Sequence, residues 1–257
     1  MTYRTILTLA LVGLLAGSAS AQAERPGSTI PPALEALAAK VVELAVKARV
    51  DNGVSQTGRL DYLARAARGH AQEMLDLNYF SHTSPTPGHE RPKQRIELAG
   101  GWDLGMAENI YRSNGIPADE VAQAVVDAWL KSPTHRHNLL NPKYNRMDVG
   151  IALTGEDSYA IVQMFAFQAV SIESLSASPS GSGYKITFKG KVVDGPSNKG
   201  AIVIGNSIGT KFEADSSGMF EVSFDAPADA MIAVGLQKPD GRYAIDLEFP
   251  ASFAANH

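Results

Sequence analysis

Apolar and polar residues alternate with the period of an α-helix through much of the first half of the chain. Apolar residues recur at three- and four-residue steps from Leu34 to Ala48, and a second stripe runs from about Arg59 to Leu77. A shorter helix is predicted from Pro92. Pro117 and Pro133 mark the first turns of two further helices, because proline is tolerated there. The pattern therefore predicts five helices.

Two strand-like runs follow these helices. They cover Val149 to Leu153 and Tyr159 to Phe167, and residues 154–157 between them are typical of a hairpin turn. Because helices precede strands, an α+β domain with layered helices and sheet is favoured over residues 34–171.

The pattern changes beyond Ile172. Residues 172–183 are rich in serine and glycine, which is typical of a linker. From residue 184 to residue 257, short alternating runs lie between turn-forming residues, and this predicts a small all-β, sandwich-like module. No catalytic cluster is evident in it. We expect an accessory module that docks the chain or stabilises the first domain.

The N-terminus has the features of a secretory signal peptide over residues 1–23. Arg4 precedes the apolar run from Ile6 to Leu15, and the small residues from Ala19 to Ala23 provide cleavage sites. Residues 24–33 are predicted as a spacer. The apolar run is shorter than the roughly 20 residues that span a bilayer. We expect an exported protein, periplasmic or extracellular, without a transmembrane anchor.

Composition narrows the chemistry. The 257 residues carry a formal net charge of −4, which disfavours nucleic acid and anionic lipid surfaces as partners. Cysteine is absent, so disulfides, thiolate metal sites and cysteine nucleophiles are excluded. Any chemistry must therefore use histidine, carboxylate, hydroxyl or amide groups.

Histidine and glutamate supply the candidate site. His82 lies in a predicted loop, Glu108 lies between predicted elements, and His135 lies at the head of a short helix that Ser132 is expected to cap. Imidazole and carboxylate are common metal ligands and also common acid–base groups. Their wide separation in sequence matches no local ligand motif, so the spacing leaves both functions open.

Four sequence blocks together closely resemble the bacterial branch of the CAP superfamily, whose domain is also called the SCP-like extracellular domain. The superfamily includes cysteine-rich secretory proteins, antigen 5 and pathogenesis-related 1 proteins. The blocks are residues 78–85, 107–110, 128–140 and 149–152, and the match extends from about Leu34 to Phe167. The resemblance implies a three-layer α-β-α sandwich with an open central cleft.

The resemblance also implies a site. In eukaryotic members the cleft holds two histidines and two glutamates, and the histidines are able to bind zinc. His82 matches the first histidine, and Glu108 matches the glutamate of the Gly-Glu-Asn motif, with Ala107 replacing glycine. The second glutamate and the second histidine would fall at Ser132 and Ala160.

Bacterial-type members carry a histidine at the position of His135. The resemblance therefore implies a reduced catalytic site of His82, Glu108 and His135, in which His82 and His135 would hold a divalent metal such as zinc.

Each of these residues also has a structural interpretation. His82 would hold its loop, Glu108 would accept backbone N–H groups in an irregular segment, and His135 would cap its helix. The remaining histidines of this half are interpreted as having no role in the site: His70, His89 and His137.

The resulting hypothesis is an exported CAP-domain protein with a His/Glu cleft that binds or processes cell-envelope or extracellular material. In a hydrolytic version, Glu108 would act as general acid or base, while His82 and His135 would polarise the substrate or hold a metal. The alternative is a non-catalytic module that binds lipid, glycan or protein. No sequence signature identifies a reaction class, and none sets the oligomeric state.

Overall fold

Six helices and ten strands make up the part of the chain that the computed structural model describes, residues 30–155 and 157–255. The helices are α1 (Pro32–Asp51), α2 (Asp61–Asp76), α3 (Pro92–Leu98), α4 (Ala118–Lys131), α5 (Pro133–Leu139) and α6 (Ala251–Ala254). The strands are β1 (Gly105–Asn114), β2 (Arg146–Gly155), β3 (Ser158–Phe167), β4 (Val170–Ser180), β5 (Gly183–Val192), β6 (Lys199–Ile204), β7 (Ser207–Glu213), β8 (Met219–Pro227), β9 (Met231–Gln237) and β10 (Tyr243–Pro250). The predicted signal peptide, residues 1–23, and residues 24–29 of the predicted spacer lie outside the described residues.

The five helices predicted from apolar spacing are α1 to α5. Pro133 occupies the first turn of α5, as expected, but Ser132 makes no capping hydrogen bond with its side chain. Helix α1 begins at Pro32, inside the segment predicted as a spacer. Within the described ranges, no helix combines the length and the apolar character that crossing a bilayer requires.

An antiparallel sheet in the order β1-β3-β2 lies between two groups of helices. On β3, Ile161 and Phe165 pack on one face with residues of α1, α4 and α5. Val162 and Met164 pack on the opposite face with residues of α2 and α3. Successive side chains of a strand point to opposite faces, so β3 contributes to both cores. The α-β-α sandwich is therefore confirmed.

Strand β1 was not predicted, and it forms an edge of this sheet. Its outer edge is covered by side chains of the α4–α5 region, which donate to alternate carbonyl groups of the strand. Tyr144, Asn138 and Trp129 donate to the carbonyl oxygens of Met106, Glu108 and Ile110, respectively. These contacts satisfy an edge that would otherwise be open for pairing with another chain.

The C-terminal half is a sandwich of two sheets, β10-β9-β6-β7 and β4-β5-β8. Both sheets contribute to one buried core, in which Phe188 of β5 packs with Phe249 of β10. The predicted all-β sandwich is therefore confirmed. Strand β7 and helix α6 were not predicted.

The segment predicted as a linker, residues 172–183, instead forms most of β4 and the turn into β5. Leu175 is buried, whereas the flanking Ser174 and Ser176 are exposed. The serines therefore occupy the solvent face of a strand whose other face packs on the core. Serine-rich composition hid this two-residue alternation.

Candidate functional site

Glu108 is the centre of a buried polar cluster on β1. Its side chain faces α2 and α3 and is only 1% exposed. The Oε1 atom lies 2.7 Å from Nδ1 of His82. The Oε2 atom lies 2.9 Å from Nδ1 of His70 on α2 and accepts a 2.8 Å hydrogen bond from Nη2 of Arg95 on α3. Three elements therefore converge on one carboxylate.

These contacts determine the protonation state of Glu108. Burial alone would raise the pKa of its carboxyl group, but hydrogen bonds from His70 and His82 and the charge of Arg95 outweigh it and lower the pKa to about 2. The ionised carboxylate only accepts hydrogen bonds, so the Nδ1 atoms of both histidines carry a hydrogen. Glu108 is thus a fixed anion at neutral pH.

His82 is the exposed member of the cluster. Its side chain is 51% exposed, and because Nδ1 donates to Glu108, Nε2 is the ring nitrogen left to accept a proton or to contact a ligand. Arg95 also donates to the backbone carbonyls of His82 and His89, at 3.1 and 2.7 Å. The same buried arginine therefore fixes both the carboxylate and the loop that carries His82.

Asn109 points to the opposite face of β1 and holds α5. Its Nδ2 atom donates to Oε1 of Gln163 at 3.0 Å and to the carbonyl oxygen of His135 at 3.1 Å. Its Oδ1 atom accepts a 3.0 Å hydrogen bond from Asn138. Two neighbouring residues of the edge strand therefore position the two segments that carry His82 and His135.

His135 is partly buried and lies near His82. Burial lowers the pKa of its imidazole, and a positive charge on His82 lowers it further. Lowering the pKa favours the neutral ring at pH 7. The structure thus brings the three predicted residues to the edge of β1, with Glu108 bonded to His82 and His135 held through its backbone.

Two residues of this cluster were missed. The interpretation of His70 as having no role in the site is wrong, because it is fully buried and donates to Glu108. The sequence did contain a sign of this role. His70 shares a helical face with Ala67 and Met74, and a polar side chain on a buried apolar face requires a hydrogen-bond partner. Arg95 gave no comparable signal. The other two histidines lie elsewhere: His89 is 3.5 Å from Glu73, and His137 is exposed on α5.

These residues do not form a typical zinc site with three or four side-chain ligands. Both Glu108 oxygens are occupied by His70, His82 and Arg95. Of the three candidate residues, only His82 and His135 are left as metal ligands. Among the residues that the structure describes, no group of three or more histidine or carboxylate side chains has a geometry that could hold a metal.

A pocket of about 320 Å³ lies away from this cluster, beside the first turns of α1 and α4. Its lining includes Leu34, Leu37, Ala122 and Tyr159. None of the three candidate residues, His82, Glu108 and His135, lines this pocket, so the pocket is separate from the candidate site.

Comparison with known proteins finds one family model that matches the region of the cluster. The family model described as CAP, the cysteine-rich secretory protein family, matches residues 47–166. That range contains His70, His82 and Arg95, whose side chains contact Glu108, as well as Asn109 and His135.

The chain is similar to two proteins of Bacillus subtilis (strain 168). The uncharacterized protein YkwD is 34% identical over 142 residues, which are 54% of this chain and 52% of that protein. The uncharacterized membrane protein YlbC is 32% identical over 112 residues, which are 44% of this chain and 30% of that protein. The chain thus spans about half the length of the first relative and less of the second.

Among solved structures, the chain is similar to an extracellular protein containing a SCP domain from Bacillus anthracis str. Ames. The sequence identity is 27% and the TM-score is 0.45, over 55% of this chain and 45% of that chain.

Proposed function

Because residues 47–166 make this chain a bacterial-type member of the CAP superfamily, we propose that it is an exported protein that binds cell-envelope or extracellular material at the edge of β1. His82 and His135 are the side chains that contact the ligand in this proposal. Export rests on the predicted signal peptide of residues 1–23.

The observation that carries the proposal is the contrast in exposure between His82 and Glu108. The carboxylate is buried, whereas half of the imidazole bonded to it is exposed. Because the hydrogen bond to Glu108 already fixes the orientation of this exposed ring, the ring loses little conformational entropy when a ligand binds. Its Nε2 atom can accept a hydrogen bond from a hydroxyl group of envelope glycans such as peptidoglycan, and in the protonated ring it can donate one to their acidic groups.

Glu108 acts as a positioning residue in this proposal. A carboxyl group with a pKa of about 2 holds a proton only in strong acid, and both of its oxygens already accept hydrogen bonds. The hypothesis of Glu108 as a general acid or base therefore gains no support from the geometry. Its charge instead orients the His82 ring.

A hydrolytic function is the second candidate, and the His82–Glu108 pair is the observation that favours it. A carboxylate that holds Nδ1 of an imidazole leaves Nε2 ready to accept a proton from water. His82 would then be the general base, and His135, whose lowered pKa favours the neutral ring, would contact the substrate.

The test is sedimentation of the purified mature chain with isolated peptidoglycan. We expect wild-type protein to co-sediment and His82→Ala and His135→Ala to bind about tenfold more weakly, the effect of losing roughly 1.4 kcal/mol. His137→Ala is the matched control, because this exposed histidine lies on the same helix as His135. Unchanged binding in both site variants would contradict the proposal.

The same incubations separate the other functions. Soluble fragments that wild type releases and His82→Ala does not would establish hydrolysis. Lipid recovered from the purified chain by solvent extraction and mass spectrometry would instead favour the lipid-binding alternative.

A further inference from the structure

A short segment between α3 and β1 joins the CAP domain to the C-terminal sandwich. We call residues 102–104 the strap. The backbone N–H of Leu104 donates to the carbonyl oxygen of Asp246, and the N–H of Glu248 donates to the carbonyl oxygen of Trp102, both at 3.2 Å. The strap therefore adds a short antiparallel pairing to β10, in the sheet of the C-terminal sandwich.

The side chain of Trp102 strengthens this connection. Its ring packs against the buried core of the sandwich, with its centroid 4.9 Å from that of Phe253. The strap thus contributes both backbone hydrogen bonds and an aromatic contact to the junction.

Two carboxyl groups are buried at the junction, one from each side. Asp103 of the strap is 5% exposed and Asp246 of β10 is 7% exposed. Asp103 accepts a hydrogen bond from the hydroxyl group of Tyr62, and Asp246 accepts a 3.3 Å hydrogen bond from the N–H of Leu236. In the described ranges, neither carboxyl group accepts a hydrogen bond from lysine, arginine or histidine.

The surrounding charges do not compensate for burial. Burial raises the pKa of Asp103 to about 6, although the Tyr62 hydrogen bond and the charge of Arg146 on β2 oppose it. Burial also raises the pKa of Asp246 to about 6. The charge of Asp103 adds to this second increase, while the Leu236 hydrogen bond and the charge of Lys238 oppose it.

We propose that the strap is a pH-responsive junction, which holds the C-terminal sandwich on the CAP domain more tightly in mild acid than at neutral or alkaline pH. Since burial raises both pKa values above the ordinary value of about 4, the docked form binds protons more readily. This contribution to docking is complete below pH 4 and is lost as the pH rises through about 6. Above that pH, two negative charges share the junction.

The junction lies between two elements of the His82 site. The strap follows α3, which carries Arg95, and precedes β1, which carries Glu108. Loosening the strap therefore frees the segment that connects the two residues of the buried ion pair. Docking of the sandwich is coupled in this way to the order of the candidate site.

Hydrogen exchange of the full chain, followed by mass spectrometry between pH 5 and pH 8, tests the proposal. The amides of Leu104 and Glu248 report on the strap, and amides of the β5–β8 pairing serve as internal controls. After correction for intrinsic exchange, protection at the strap should fall by about tenfold for each titrating carboxyl group from pH 5 to pH 8.

Asp103→Asn and Asp246→Asn mimic the protonated form, and the double variant should keep its protection across this pH range. Asp229→Asn is the matched control, because it removes an exposed carboxylate from the same sandwich. Constant strap protection in wild type would overturn the proposal. A pH dependence that persists in the double variant would also overturn it.

Discussion

Glu108 and the Asp103–Asp246 pair are all buried carboxyl groups, but they have opposite protonation behaviour. Glu108 accepts hydrogen bonds from Arg95 and two histidines, and its pKa is lowered to about 2. Asp103 and Asp246 accept from a hydroxyl group and a backbone N–H, and their pKa values are raised to about 6. The chemistry of the partners therefore decides the charge of a buried carboxyl group here.

This difference also separates two kinds of role. A carboxylate with a basic partner is a permanent anion and can orient a neighbouring ring. A pair without basic hydrogen-bond partners changes its charge within the physiological pH range and can respond to it.

The largest expected effect is the loss of the Glu108 charge. Glu108→Gln leaves Arg95 buried without its counterion, so we expect the free energy of unfolding at pH 7 to fall by about 3 to 5 kcal/mol. Urea denaturation measures it. A decrease in the free energy of unfolding of less than about 1 kcal/mol would show that the Arg95–Glu108 ion pair is weak. Glu108 would then not differ from Asp103 in having a basic partner that stabilises its charge.

The contribution of His70 should be smaller. His70→Leu removes one donor to the carboxylate and should lower the free energy of unfolding by about 1 to 3 kcal/mol. His70→Asn keeps a donor near the position of Nδ1 and should recover part of this loss. Equal losses in the two variants would mean that packing, not the hydrogen bond, explains the effect.

At the strap, removing a carboxyl charge should stabilise the protein instead of destabilising it. Asp103→Asn removes a charge that is unfavourable when ionised, so it should raise the free energy of unfolding by about 1 kcal/mol at pH 8 and change it little at pH 4. Urea denaturation at the two pH values checks this. A destabilisation at pH 8 that equals the one at pH 4 would contradict the assignment.

The smallest effect is expected at an exposed carboxylate. Asp51 pairs with Lys47 one helical turn away at 2.6 Å, and both side chains are more than half exposed. Asp51→Asn should change the free energy of unfolding by less than about 0.5 kcal/mol at any pH between 5 and 8. Thermal unfolding is sufficient to measure it, and a larger effect would show that burial is not what distinguishes the three buried groups.

Periodicity predicted much of the fold because most elements bury one face. It failed at β1, where both faces carry polar residues: Glu108 faces one buried network and Asn109 faces another. It failed also at β4, where serines fill the exposed face. Strand β1 lacks a one-sided apolar alternation, whereas in β4 the serine-rich composition hides the alternation.

His82, Glu108 and His135 were identified as candidate site residues because the sequence blocks that contain them resemble a known family. It could not show which groups share a proton or a charge, because Arg95 and His70 reach Glu108 only through the packing of α2 and α3 on β1. The structural interpretation of Glu108, as an acceptor of backbone N–H groups in an irregular segment, was wrong. Glu108 lies on strand β1, and its carboxylate accepts hydrogen bonds from the side chains of His70, His82 and Arg95.

The most direct test is one NMR titration of the side-chain carboxyl carbons in the full chain from pH 8 to pH 3. The Glu108 signal should stay at its ionised position throughout, while the signals of Asp103 and Asp246 should move with midpoints near pH 6. A Glu108 midpoint at pH 4 or above would contradict the account, because the carboxylate would then not be the fixed anion that orients His82.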